Sequence, residues 1–494
     1  MPTMSYPAAL RLHAERTPDR TALVCGDRTL AFGALDRAST RLARAYAERG
    51  VREGEFVTIA LPNGEEFVIA CFAIWKLGAV PQPVSWKLPE RERNAILAEA
   101  KPALVVGVPP EAAAGAPSVP AGFTPEAHHG DDPLPDRTSP SRQALASGGS
   151  TGRPKLIVDA LPAQCDPTQP FYGNAPGSTV LVPGPQYHAA GFLNTSITLL
   201  LGGTVVLLER FDPVQALAAI ERYRVQWVSF VPTMLLRIWR LPEAERKRYD
   251  VSSLVRVVSS AAACPAWLMR ELIGWLGPDR VFEAYGGTER IGGTLISGRE
   301  WLAHPGSVGR PTDGRKIRIL DENGRELPPG EIGEVFMMPP GGRGSTYRYI
   351  GADARATGDG WETLGDMGYL DGDGFLYLVD RRTDMIVTGG ANVYPAEVEA
   401  ALEAHPRVRS CAVIGLPDPD LGQRVHAIVE AQMPLADDEL REHLSQHLSR
   451  GKHPRSFEYV DAPLRDEAGK VRRSALRDAR TPRQQRGEAE RSTD

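Results

Sequence analysis

Ser147-Gly148-Gly149-Ser150-Thr151-Gly152-Arg153-Pro154-Lys155 packs small, hydroxylated and glycine residues into one short run that ends in a fixed cation. Glycines let the backbone reach positive φ and let a ligand approach closely. Consecutive backbone N–H groups in such a turn form a nest for an anion, and hydroxyls add donors. Lys155 supplies a charge that does not depend on backbone geometry. The run therefore reads as a phosphate-binding loop. It is not the P-loop of nucleotide hydrolases, which ends in Gly-Lys-Ser/Thr and enters a helix. Here Pro154 precedes the lysine and Leu156-Ile157-Val158 follows it, so the loop is expected to connect two strands of a hairpin. A Gly/Ser-rich surface linker has the same composition, and the loop by itself leaves both readings open.

The elements around it must form a ligand-collecting sheet edge. From residue 1 to about 102 the pattern alternates helix and strand. A helix is expected from Leu30 toward Arg49, a buried strand over 56–61, a turn at Asn63-Gly64 and a helix over 65–76. This is βαβ grammar and implies a mainly parallel sheet with helices on its faces. Residues 109–142, rich in Pro, Ala, Gly and Asp, read as an exposed loop. Its adjacent His128 and His129 find no acidic or cysteine partner at ligand spacing. Later strands over 178–182, 255–258 and 281–285 run into small or polar turns at 183–192, 259–265 and 286–289. Ligands gather at the carboxyl ends of parallel strands, which favours the phosphate reading of the opening loop.

From Val308 to Tyr377 the texture changes to short strands joined by Asp-Gly, Asn-Gly and Pro-Gly turns, a smaller β-rich subdomain. Asp371 and Asp373 mimic the start of a calcium loop, but its later ligands are missing and a turn is expected. A charged cluster, Asp380-Arg381-Arg382-Thr383-Asp384, precedes a small α+β domain of about a hundred residues. The segment from Asp478 onward has almost no apolar residues and is expected to be disordered.

At 494 residues the chain is too long for one ordinary core. Its net charge of −5 carries no polybasic signature for nucleic acid or anionic membrane. The five cysteines are scattered without C-x-x-C spacing, which fits a reducing compartment without structural zinc. Residues 1–16 lack a secretory pattern, and the apolar run 193–208 is shorter than the ~20 residues a spanning helix needs. No membrane span and a cytoplasmic location are expected.

The loop at 147–155, Tyr285-Gly286-Gly287-Thr288-Glu289, Leu364-Gly365-Asp366, Asp380-Arg381-Arg382-Thr383-Asp384 and Ala468-Gly469-Lys470-Val471 occur in a fixed order. Together they resemble the adenylate-forming superfamily of acyl- and aryl-CoA synthetases, luciferases and peptide-synthetase adenylation domains. The resemblance runs from Leu30 to about Leu476, and the run from Arg381 to Pro395 is similar to the acyl-CoA ligase branch. It implies an α/β fold: a large N-terminal domain of mainly parallel sheets with a β-rich subdomain (residues 1–382), then a small mobile α+β domain (383–477) and a tail (478–494).

On that resemblance, Ser147, Gly148, Gly149, Ser150, Thr151, Gly152 and Lys155 would hold the β- and γ-phosphates of ATP. Glu289, with Thr151, would carry Mg²⁺, and Thr288 would touch the α-phosphate. Tyr285, Gly286 and the turn containing Ala261 and Ala262 would flank the adenine. Asp366 would bind the ribose hydroxyls with help from Arg381, Gly389 and Gly390 would add cofactor contacts, and Lys470 would be the adenylation lysine. The implied reaction is activation of a carboxylic acid to an acyl-adenylate with release of pyrophosphate, then transfer to a thiol, coenzyme A foremost. A stand-alone enzyme loading a carrier protein, a nitrite-activating diazotase and, last, a non-catalytic nucleotide-binding regulator share the motifs. The hinge position, usually Asp or Lys in the family, is Thr383 here.

Amino-acid-activating relatives place an aspartate near 185–192 to pair the substrate ammonium. This chain offers Tyr187-His188-Ala189-Ala190-Gly191-Phe192, with no acid. An unpaired buried ammonium costs several kcal/mol, so the expected substrate is an apolar or aromatic acid and not an α-amino acid. His188 is a candidate to gate or line the acyl pocket, with a packed core histidine as the alternative. Phe192, Trp227, Phe230 and Met234 are candidate pocket walls or plain core.

Overall fold

In the computed structural model, residues 2–148, 154–431, 435–467 and 469–481 are described. The large N-terminal domain is built on a nine-stranded sheet. Its central strands, Val281–Gly286, Arg256–Ser259, Trp227–Phe230, Thr179–Val182, Thr204–Leu207 and Thr21–Cys25, run parallel. Antiparallel strands Gly293–Ser297, Arg310–Pro311 and Arg28–Ala31 close its edges. The central strands read Thr-Val-Leu-Val, Thr-Val-Val-Leu and Trp-Val-Ser-Phe because helices cover both faces and leave almost no polar side. One core gathers around Trp75, Phe72, Phe67 and Phe192, and a second around Leu268, Leu272, Trp301 and Phe230. The apolar run 193–208 resolves into the helix Ala189–Leu200 and the strand Thr204–Leu207. Among the described residues no helix is long and apolar enough to cross a membrane.

A second, parallel sheet joins Val80–Pro83, Phe56–Ile59, Leu104–Val106 and Ser118–Val119. The expected hairpin around the glycine-rich run is present: Ala144–Gly148 pairs antiparallel with Pro154–Asp159, and Tyr347–Ile350 adds to its other side. Four antiparallel strands, Lys316–Leu320, Gly333–Met338, Glu362–Leu370 and Leu376–Arg381, form the β-rich subdomain. Asp371 makes the expected turn there, accepting from the backbone N–H groups of Asp373 and Phe375.

After a turn at residues 382–384 the small domain forms a five-stranded sheet of its own, with its own core. Helices Pro395–Glu403 and Arg473–Arg480 pack on its strand Val408–Asp418. The expected disorder from Asp478 is corrected for residues 478–480. They complete the last helix, where the Arg480 guanidinium pairs with both Glu458 carboxylate oxygens at 2.6 Å. The remainder of that tail, 482–494, lies outside the described residues.

The 109–142 segment is mostly irregular, but His129 within it is 3% exposed. Helix Phe32–Glu48 brings Glu48 to both histidines, an acidic partner 80 residues away in sequence from His128.

Candidate functional site

The strand pairing Asp366↔Arg381 sets these two side chains opposite each other, and Arg381 Nε lies 3.3 Å from Asp366 Oδ1. From the end of the parallel strand Val281–Gly286, the Tyr285 hydroxyl donates to Asp366 Oδ2 at 2.7 Å. Burial, with the Asp366 carboxylate beside it, holds the Tyr285 phenol well above its usual range, so it stays a donor. Asp366, 8% exposed, is thus fixed from two sheets.

The turn after that strand carries Thr288 and Glu289. At Gly287 a Cβ would stand 2.6 Å from Leu364 Cδ1, so a larger residue there would displace that methyl. Arg290 anchors the turn to the hairpin through Asp159 Oδ2 at 3.1 Å. Glu289, 8% exposed, accepts from the Tyr349 hydroxyl at 2.6 Å. Lys155 Nζ lies 3.7 Å from the same Glu289 oxygen and 3.9 Å from the centre of the Tyr349 ring. Tyr349 pairs with Ile157, so it stands on the strand face that Lys155 shares. Burial lowers the Lys155 pKa, while Glu289 acts in the opposite sense.

The turn containing Ala261 and Ala262 is exposed, and Ala261 takes a left-handed φ of 73°. It is held from beneath: Glu283, 3% exposed and on the same strand face as Tyr285, accepts from the Cys264 backbone N–H at 2.7 Å. Burial pushes the Glu283 carboxyl up to about 8, with that single donor opposing.

Lys470 arrives from the small domain on a tight turn. Its backbone N–H donates to Asp466 Oδ1 at 2.9 Å, and Gly469 N–H donates to the Asp466 carbonyl at 2.9 Å. Arg465 clamps this turn, donating to the Gly469 carbonyl at 3.3 Å and reaching Glu399 and Glu403 at 3.2 and 3.3 Å. Gly469, at φ +75°, lies against the large domain so closely that a Cβ would stand 2.9 Å from Thr233 Oγ1. Lys470 is exposed as a residue, yet burial of its ammonium and then Arg381 lower its pKa. His188 caps the helix Ala189–Leu200, half-buried beside Tyr187. Burial, then the Lys470 ammonium, brings its pKa down to about 4, so the imidazole is neutral near pH 7.

Tyr285, Glu289, Lys155, Asp366, Arg381, His188 and Lys470 are therefore brought together as one electrostatically linked group. Gly149, Ser150, Thr151 and Gly152 lie outside the described residues, as do the side chains of Ser147 and Gly148, whose backbone ends the strand Ala144–Gly148. Gly286 ends its strand in the open and Thr288 is half-buried in the turn. Gly389 and Gly390 form an exposed hairpin turn of the small domain, tied to Leu421 rather than to this group. Phe192, Trp227, Phe230 and Met234 are core residues, each at most 5% exposed. Sequence reasoning missed Tyr349, Glu283, Arg290 and Arg465. The alternation Tyr347-Arg348-Tyr349 was a signal for an aromatic strand face; the others had none.

Family models describe residues 10–342 as an AMP-binding enzyme and residues 397–470 as an AMP-binding enzyme C-terminal domain. A feruloyl-CoA synthase of Amycolatopsis sp is 34% identical over 479 residues, covering 94% of this chain and 96% of that one. A fatty acid–[acyl-carrier-protein] ligase of Streptomyces coeruleorubidus is 30% identical, covering 94% of each. The o-succinylbenzoate CoA synthetase of Bacillus subtilis, solved with its acyl-adenylate, superposes with a TM-score of 0.80 at 28% identity, over 97% of this chain and 99% of that one. The same enzyme solved with ATP and magnesium also gives 0.80, at 27% identity over 96% and 100%. With both of its domains matched, the chain belongs to the AMP-binding enzyme family.

Proposed function

We propose that this protein is an AMP-forming acid–thiol ligase that activates a carboxylic acid with ATP and passes the acyl group to coenzyme A. The observation that carries this is that Lys470, a lysine from the other domain on a turn pressed against Thr233, lies within the field of Glu289 and Arg381, which in turn adjoin Lys155 and Asp366. A carboxylate is a poor electrophile because oxide is a bad leaving group. In the first step a carboxylate oxygen attacks the α-phosphorus of ATP, forming a mixed anhydride with AMP and expelling pyrophosphate. The nucleophile is already ionised, so no general base is needed. In the second step a thiol sulfur attacks the anhydride carbonyl and AMP departs with the bond electrons.

Charge gathers on phosphate oxygens in the first step, and fixed cations and donors in a desolvated cleft stabilise it. Lys470 is assigned to the carboxylate and α-phosphate, Thr288 to the α-phosphate, and Lys155 with the 147–152 loop to the departing pyrophosphate. Asp366, held by Tyr285 and Arg381, is assigned to the ribose hydroxyls. His188, neutral and beside Lys470, can line the acyl end without pairing a charge. Glu289 suits Mg²⁺: it is a hard oxygen donor, nearly buried and facing the cation Lys155. Mg²⁺ would be held there, with Thr151 as the second assigned ligand, and when bound supplies charge neutralisation for the phosphates.

We assign the domains to 1–382 and 383–477 and the hinge to the turn after Arg381, with Thr383 at the position the family resemblance implies. A small apolar or aromatic acid is the proposed substrate class, supported by the lack of an acidic side chain within 185–192 and by a relative named for feruloyl-CoA. A carrier protein is the second reading for the acceptor, supported by the carrier-protein ligase among the relatives. Pyrophosphate release from ATP with a panel of aryl and acyl acids, with and without CoA, tests both. CoA-dependent AMP formation is expected. Adenylate that accumulates until a carrier protein is added would select the second reading, and release of no pyrophosphate with any acid would overturn both.

A further inference from the structure

The geometry points to a second cation site, for a borderline divalent metal such as Zn²⁺, formed by Glu48, His128 and His129 on elements separate from the nucleotide cleft. One ligand atom from each lies within 4.8 Å of the others. His128 Nε2 is 3.2 Å from Glu48 Oε1, and His129 Nε2 is 3.0 Å from Glu48 Oε2. Ligands on a tetrahedral zinc with bonds of about 2.0–2.1 Å sit roughly 3.3 Å apart, and each histidine nitrogen stands near that distance from one oxygen of Glu48, the two contacts using different oxygens.

His129 Nδ1 lies 3.2 Å from the Glu126 carbonyl, a contact that holds the ring with Nε2 turned toward Glu48. His129 is 3% exposed, and its Nε2 is buried without a hydrogen bond: the approach to Glu48 is close enough but not aligned for one. A buried ring nitrogen without a hydrogen bond, set 3.0 Å from a carboxylate oxygen, is suited to share a cation with it. Two imidazoles and one carboxylate suit zinc and its neighbours rather than Mg²⁺ or Ca²⁺. The other face is open, since the His128 and Glu48 side chains are 57% and 55% exposed.

The site is also preorganised. One helical turn before Glu48, Arg44 donates to the Gly130 and Asp132 carbonyls at 3.1 and 2.9 Å, and Arg49 lies 4.5 Å over the Phe123 ring. The helix end thus holds the segment on both sides of the histidine pair. A bound cation fastens this long connection to the helix Phe32–Glu48 and leaves a coordination position for water.

The test is titration of the metal-stripped full-length protein with Co²⁺, read by its visible d–d bands and by displacement with Zn²⁺. Tetrahedral-type bands that Zn²⁺ removes and excess Mg²⁺ leaves are expected, with Co²⁺ affinity at least ~10-fold weaker in Glu48→Gln and His129→Asn. Because His129 is buried, the exposed His128→Ala serves as a second variant that leaves the core untouched, and it is expected to weaken binding likewise. Glu289→Gln should leave the bands unchanged. Absence of the bands, or bands indifferent to Glu48→Gln and His128→Ala, would overturn the site.

Discussion

Lys470→Ala is expected to slow adenylation by about 10²–10³-fold, the usual cost of losing one preorganised charge partner of a transition state. Thioester formation from supplied acyl-adenylate should be far less affected, since the α-phosphate has already been attacked. Equal losses in the two half-reactions, measured separately, would count against a lysine that serves only the first. Glu283 gives a pH signature at the same scale. Its folded-state pKa is raised from 4.5 to about 8, so its neutral form is the one the fold favours. That contribution is fully present below about 4.5 and is lost as pH rises through about 8. Glu283→Gln keeps an oxygen for the Cys264 N–H without the charge. Its stability advantage over the natural protein should therefore widen between these pH values, by at most on the order of 5 kcal/mol. Chemical denaturation of both proteins across that range checks it, and a constant gap would show that Glu283 does not titrate there.

Strands and turns decide which of these side chains can meet. The Asp366↔Arg381 register makes a pair out of two residues in separate motifs, and the strand Tyr347–Ile350 brings an aromatic face under Lys155. The turn that carries Gly469 and Lys470 is exacting too, because it must hold a left-handed residue while pressed on Thr233 of the other domain. Gly469→Ala meets both obstacles, a strained φ and a Cβ too close to Thr233 Oγ1. Adenylation should fall at least ~10-fold, which corresponds to a little over 1 kcal/mol, while the thioester half-reaction is retained if this contact belongs to the adenylating arrangement alone. Retention of full adenylation would show that the turn has room to shift.

At the scale of the molecule, polar contacts join the domains in this arrangement among the described residues. Lys87 pairs with Glu467, Arg472 lies 3.4 Å from Glu92, and Arg240 donates to the Glu403 and Arg409 carbonyls at 2.8 Å. The ion pairs are exposed, and such pairs contribute about 0.2–1 kcal/mol each and weaken with salt. That suits the mobility of the small domain that the family resemblance implies. The double variant Glu92→Lys with Glu467→Lys should disfavour this arrangement by about 1 kcal/mol, a roughly five-fold drop in adenylation. Thioester formation should hold or rise, and high salt should move the natural protein the same way. A parallel fall in both half-reactions would show that the pairs stabilise the fold rather than the arrangement.

The fold class, the hairpin around the glycine-rich run and the motif residues that the fold brings together were legible along the chain. Hydrophobic period, turn residues and short motifs are local properties, and each is written in consecutive positions. Lys155, Glu289, Asp366, Arg381 and Lys470 were legible because their motifs are short and ordered along the chain. What only the tertiary structure decided are the partnerships across long separations. Tyr349 under Lys155, Glu283 beneath the 259–265 turn and Arg465 behind Lys470 depend on register and burial, which no spacing encodes. Burial alone separated Phe192, Trp227 and Phe230 as core from the cleft, and it turned an apparently exposed histidine pair into a partly enclosed one. His128 and His129 lacked an acidic partner when read along the chain, and Glu48 reaches them only because a helix packs its last turn against their loop.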